Sequence, residues 1–510
     1  MAPSSLDVPT PSRPTVFINA NLVGRPGEGP VTVRIADGMV QHIGTEVDTK
    51  GAEVVDLTGK WISPGLIDWH THFTMNSVAS RRLNLYHCTS VAGVFTRVKE
   101  ALSDSRHDEG GRLVCINLRL GAWGDRDNLT LEALDALSPK PLIIIANGYH
   151  SGYLNTPALA IGGYTCADYP NGYLEEETAF AMWGKLQDTA DVKVLDEWVA
   201  DEAAAAARLG VTEIVDLEME HNIPVWQRRV AAGFDKLRVH IGFYVPHLDD
   251  AISAGLKSGD VVPKTRGLVL AGAHKLITDG SLGSQTAYCC DPYPGTENRG
   301  LFVFTKDKLA AQMAKATTHG LTLAVHAIGD KAMHLILETF KAESDAGRQA
   351  LPGSTIEHAQ LVQESDIQLF AELGLIASVQ PRHMVDDREL CHTFWAGREG
   401  RTFPFKWFVD AGIPMKFGTD CPVAPLQPWE AMAVAISRAG EGEKTFCPQH
   451  LIDLEVAYRA STHNGRLDIV EGDRADLVVL DRDPLALDAA ELRRMVSCGT
   501  MLGGNWTYRK

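Results

Sequence analysis

From Thr15 to Gly65 the chain alternates short apolar runs with Gly, Asp and Asn: TVFINANLV, then VTVRIADGMVQHIG, then AEVVDLTGKWISPG. Runs of this kind read as the strands of a small sheet. The pattern returns near the other end in RADLVVLDRDP and TMLGGNWTYRK. Residues 15–62 and 465–510 are therefore expected to form one composite β-sandwich domain, which is compatible with chain ends lying close together. Residues 1–14 are rich in Pro and Ser and are expected to be disordered.

Between these ends the period changes. VLDEWVADEAAAAARLGV reads as an Ala-rich helix that stops at Gly210. Eight strand candidates stand among helical stretches: ISPGLIDWHTH (62–72), VTEIVDLE (211–218), RVHIGFYV (238–245), GLVLAGAHKLITDG (267–280), LTLAVHAIGD (321–330), STIEHAQLV (354–362), LIASVQP (375–381) and PMKFGTD (414–420). Alternating strands and helices imply parallel strands joined by crossovers. Eight such units predict an α/β fold, a TIM-like (β/α)8 barrel over residues 63–464. Residues 82–195 are too many for one crossover. They are read as an inserted α/β subdomain.

Composition narrows the function without naming it. The 510 residues carry a net charge of −17, with 45% apolar and 22% charged residues. A globular enzyme fits these figures. A basic footprint for nucleic acid or anionic membrane is lacking, and no apolar run reaches the length of a membrane span. The nine cysteines are irregularly spaced without a CxxC pair, and Cys289-Cys290 reads as packing. Reduced thiols and no signal-peptide pattern at the start lead to a cytoplasmic expectation. A small-molecule substrate is the expected partner, with a homodimer as a candidate assembly.

The chemistry stands at the ends of the strands. His70 and His72 are two apart on the first strand candidate, so both imidazoles point to one side, toward the C-terminal mouth where barrel enzymes act. His326, His358 and Asp420 end three later strands. A single buried histidine is more often a core residue than a ligand. Four histidines and an aspartate at matching positions are hard to explain as core, because burying them unpaired costs several kcal/mol that a metal would remove.

The strings PGLIDWHTHF, HAIGD, IEHAQ, TDCPV and the RADLVVLD tail resemble the amidohydrolase superfamily, and within it the branch that contains N-substituted formamide deformylases. The resemblance runs from about Thr15 to Pro484. It implies a barrel flanked by a composite β-domain, ligation of one or two divalent ions (Zn2+ first) by His70, His72, His326 and His358, and Asp420 as ligand and proton carrier. It also implies that Lys275, once carboxylated by CO2, would bridge two ions. An ion pair with Asp279 or Asp420 is the other reading of this lysine. Asp330 and Glu357 read either as partners that hold ligand imidazoles or as a helix cap and an ion pair.

For the substrate, the insert offers Trp123 and His150. The branch usually carries Asp-Gly-His where this chain has Gly148-Tyr149-His150, so an acidic residue is missing there. His150 is expected to reach the substrate carbonyl as a catalytic donor. After the seventh strand, Gln380, Arg382 and His383 are expected to contact substrate; Trp395, Phe403 and Trp407 read as pocket walls or, the favoured reading for each one singly, as ordinary packing under a long loop. Hydrolysis of an amide or formamide-like C–N bond follows as the leading function, with a deaminase of the same superfamily and a metal-free scaffold as competing readings.

Overall fold

The computed structural model describes residues 13–45, 48–104, 107–120, 123–187 and 191–510. The N-terminal stretch expected to be disordered lies, up to Ser12, outside the described residues.

Eight parallel strands form the central sheet: β1 (Leu66–Thr71), β2 (Val211–Asp216), β3 (Arg238–Phe243), β4 (Val269–Ile277), β5 (Leu323–Ala327), β6 (Thr355–His358), β7 (Ile376–Val379) and β8 (Met415–Phe417). They pair in chain order. Most of their residues are buried, as expected for strands lined inside by side chains and covered outside by helices. The helix Val192–Arg208 leads into β2. It buries Val199, Ala203, Ala206 and Ala207, one face of a 3.6-residue period, and Asp191 caps its start by accepting from the Lys193 N–H.

The ends of the sheet meet. Asp420 N–H donates to the His70 carbonyl at 2.7 Å and His72 N–H donates to the Cys421 carbonyl at 2.8 Å. Just below, Thr419 donates its backbone N–H and its hydroxyl to the Asp68 carboxylate, at 2.9 and 2.6 Å. These contacts close the barrel between β1 and β8. The approach leaves no space for a side chain at Gly418, where a Cβ would stand 2.6 Å from the His70 nitrogen and 2.5 Å from its Cβ.

Both chain ends build a second sheet. Its strand Thr15–Leu22 pairs with Val31–Ala36 between Thr15 and Ala20, with Glu53–Asp56 between Thr15 and Ile18, and with Trp61–Pro64 through Asn21 and Leu22. Leu477–Leu480, Gly499–Leu502 and Asn505–Arg509 extend the sheet from Trp61–Pro64. The two halves enclose a shared core of Phe17, Val33, Ile35, Ile62, Leu477, Val479 and Met501. Arg238 at the start of β3 reaches Asp476 at 3.0 Å with both side chains buried, which ties this domain to the base of the barrel.

Between β1 and the helix Val192–Arg208 lies a separate five-stranded sheet. Leu83–Asn84, Leu113–Leu118 and Leu142–Ala146 run parallel, and Ser151–Leu154 and Tyr173–Glu175 continue it antiparallel. Its faces carry two apolar clusters of their own. Tyr86 donates to Asp386 at 2.6 Å and Thr286 donates to Glu176 at 2.8 Å, so this sheet is strapped to the loops after β7 and β4. No helix among the described residues is long and apolar enough to cross a membrane.

Gly418→Ala is expected to destabilise the fold by about 1–3 kcal/mol through overpacking at the seam. Urea unfolding with an unchanged midpoint would show that the seam can part without cost.

Candidate metal centre

Side chains from β1, β6 and the segment after β8 converge at the mouth. On β1 the two-residue alternation sends His70 inward, with Asp68 below it and His72 above. His358 and Asp420 take positive φ angles of 71° and 58°. That region costs a residue other than glycine roughly 1–2 kcal/mol. Such strained positions gather at functional sites.

One ligand atom each of His70, His358 and Asp420 lies within 4.8 Å of the others, and all three residues are buried. Asp420 Oδ1 is 3.5 Å from His70 Nε2 and 3.2 Å from His72 Nε2, and its Oδ2 is 3.7 Å from His383 Nε2. His326 packs edge-on against His358 with ring centres 4.4 Å apart. Its Nε2 lies 3.3 Å from the Gly280 carbonyl and 3.5 Å from Asp279. Behind the site, Glu357 holds His70 Nδ1 at 2.6 Å, and Thr355 donates to the other oxygen of Glu357.

Burial and charge act against each other here. Burial, joined by the charge of Lys275, pushes His326 down to about 3. Burial, joined by His326, holds His358 well below the ordinary imidazole range. Both rings are neutral at neutral pH and keep a lone pair for a cation. Burial would raise the Asp420 carboxyl, but His70, His72 and His358 outweigh it and hold the group well below the usual carboxylate range. Glu357 ends at about 2 for the same reason, burial being overcome by His70 and Lys275.

The donor set suits a divalent cation of the zinc type, for which neutral imidazole and carboxylate are ordinary ligands. Buried atoms without a hydrogen-bond partner point the same way: His72 Nδ1, His358 Nδ1 and Lys275 Nζ. Lys275 projects from β4 and lines the cavity with the histidines. Burial lowers its pKa, although Glu357 and Asp420 pull the other way.

Above the site opens a cavity of about 2190 Å³ between barrel and insert. Trp123, His150 and His383 line it. His150 Nδ1 is 2.9 Å from Glu176, which also accepts from Thr286. Burial would raise Glu176, yet the bond and charge of His150 bring it to about 2. An ionised carboxylate only accepts, so Nδ1 carries the shared proton and Nε2 is the ring nitrogen left for the cavity.

Other residues fall elsewhere than the sequence suggested. Gln380 and Arg382 are not among the lining residues. The short helix Pro381–Asp386 turns them away: Gln380 sits buried 3.5 Å from His70 Nδ1, and Arg382 is held by Glu430 and Tyr86. Trp395 and Phe403 are buried in the barrel's apolar core, and Trp407 packs edge-on against His450, so none of the three walls the cavity. Asp330 touches no ligand imidazole. It accepts from the Cys290 N–H, Gln363 and Arg401 at the start of the helix Asp330–Asp345.

Four residues escaped the sequence reading. Asp68 clamps the seam. Gln360 lines the cavity beside His383. Glu176 sets a carboxylate beside His150. Glu218, pushed up to about 7 by burial, lies on the cavity wall. Asp68 alone had a signal, being in step with His70 and His72 along β1.

Residues 53–508 match the sequence profile of the Amidohydrolase family. An N-substituted formamide deformylase from Arthrobacter pascens is 25% identical, with 98% of this chain and 99% of that protein covered. Protein LONG AFTER FAR-RED 3 of Arabidopsis thaliana is also 25% identical, over 94% of this chain and 88% of its own length. Among solved structures, an uncharacterized metal-dependent hydrolase from Pyrococcus horikoshii superposes with a TM-score of 0.76 at 24% identity, covering 94% of this chain and 99% of that one.

Removing the carboxylate that orients a ligand imidazole typically costs about 10–100-fold in metal affinity. Glu357→Gln is expected to lose that much, read by competition with a chelator. Wild-type affinity in the variant would show that His70 needs no such support.

Proposed function

Since the chain belongs to the amidohydrolase family, we propose that it is a metal-dependent hydrolase cleaving the C–N bond of an amide or formamide-like group in a small molecule. The observation that carries this reading is an ionised carboxylate, Asp420, set among His70, His72 and His383 at the floor of a large cavity. A divalent cation, Zn2+ by choice of donors, held by His70, His72, His326, His358 and Asp420, would supply a water acidified toward neutral pH and a positive charge for the substrate carbonyl. Lys275, which as an ammonium has no lone pair to offer a cation, would join a two-ion centre once its deprotonated amine adds CO2 and releases a proton to become an anionic carbamate oxygen ligand.

The protein's own residues handle the proton. Asp420, kept ionised by its histidine neighbours, accepts the proton of the attacking water and orients the attack. It then returns that proton to the nitrogen, because an amide anion is a very poor leaving group. His150, fixed through Nδ1 by Glu176, faces the carbonyl through Nε2 and, when doubly protonated, donates to the developing oxyanion.

The cavity also bears on the substrate. Its volume exceeds the roughly 300–1,000 Å³ usual for small-molecule sites, and Trp123, Tyr153, Tyr173, Phe180 and Phe394 line it. A substituent of apolar or aromatic character on the nitrogen or acyl side suits this wall better than a bare formamide.

Asp420→Asn is expected to keep much of the bound metal while kcat on N-formyl amines falls about 10²–10⁴-fold, the usual share of acid–base catalysis. An unchanged kcat would remove Asp420 from proton transfer. Metal-loaded wild-type protein that turns over none of a panel of N-formyl amines, N-acyl amino acids and cyclic amides would overturn the substrate class.

A further inference from the structure

A second group of metal-competent side chains lies outside the centre described above. His221 stands in the loop after β2, directly before the helix Asn222–Ala231. His247 ends the turn Val245–His247 after β3, and Asp250 lies in the first turn of the helix Leu248–Ser253. One ligand atom from each of the three lies within 4.8 Å of the others.

Their geometry fits a shared ion better than hydrogen bonds. Asp250 Oδ2 is 3.4 Å from His221 Nε2 and 3.6 Å from His247 Nδ1. Good N–H···O bonds run at about 2.7–3.2 Å. Neighbouring ligand atoms of a tetrahedral zinc ion, bound at about 2.0–2.1 Å, are about 3.3–3.4 Å apart. The two imidazoles stack at 8° between planes and 4.8 Å between centres, and each brings one ring nitrogen toward the same Asp250 oxygen. The side chains are 41%, 27% and 50% exposed. Small rotations therefore complete the closure, and water has room to fill the remaining coordination position.

We propose that His221, His247 and Asp250 form a peripheral binding site for a divalent cation of the zinc type. Two imidazoles and one carboxylate favour zinc, nickel or copper over magnesium or calcium. The ion would staple two mouth loops together. One carries Glu218 and Glu220, the other follows Tyr244, and all three of these residues line the cavity. The site is distinct in its ligands from the central one, and the proposal does not depend on the reaction catalysed.

The test counts ions. Full-length protein, loaded with zinc, is dialysed against a series of free zinc concentrations and its bound metal is measured by mass spectrometry. Wild type is expected to bind one equivalent more than a His221→Ala/His247→Ala double variant, and Asp250→Asn is expected to weaken that equivalent at least tenfold. Excess magnesium should not displace it. The double variant should keep the central metal and its turnover, while His70→Ala should lose central metal and retain the peripheral equivalent. Equal zinc stoichiometry in wild type and the double variant would overturn the proposal, as would displacement of the extra equivalent by magnesium.

Discussion

Asp68 and Thr419 bring together two stretches of chain separated by most of the barrel. The Asp68 carboxylate accepts from both the backbone and the hydroxyl of Thr419 and also from the His70 N–H. Burial nonetheless lifts its pKa to about 7, so these three donors offset much of a large desolvation cost. With the clamp in place and no side chain on Gly418, Asp420 comes to rest beside His70. Without it, β1 and β8 would present His70 and Asp420 on two separate edges. The arrangement of His70 and Asp420 thus depends on how the barrel shuts.

The same economy governs the mouth. Burial strips His326 and His358 of their charge, while Asp420 and Glu357 keep theirs. His70 shows the balance: burial and Lys275 press toward neutrality, while Asp420 and Glu357 pull back. A group of this kind is stable only as an ensemble, since deleting one partner leaves another buried without compensation. The positive φ values at His358 and Asp420 add backbone cost at the same place. The strain falls on residues that face one another across the site.

Much of the fold was legible because its signals are local. Apolar runs such as LTLAVH and PMKFGT carry their strand identity within themselves, and β1 to β8 fall inside the stretches picked out by pattern. His70 and His72 could be paired by the two-residue period alone. Gln380 and Arg382 defeated that logic because the helix Pro381–Asp386 replaces strand alternation directly after β7. Trp395 and Phe403 left two readings open, pocket wall or packing under a long loop, and the apolar core claims them, in line with the second. Glu176 lies 26 residues from His150 along the chain. Only the antiparallel pairing of Ser151–Leu154 with Tyr173–Glu175 brings the two together, and no spacing rule predicts such a partner.

The insert has its own sheet and its own apolar clusters, yet it supplies Trp123, His150, Tyr153, Tyr173 and Phe180 to the cavity above the barrel. The apolar wall of the cavity and the histidine cluster at its floor are thereby carried on different segments of polypeptide. Exchanges at Trp123, Tyr153, Tyr173 or Phe180 would reshape that wall while leaving the clamp at Asp68 and the histidines below it in place.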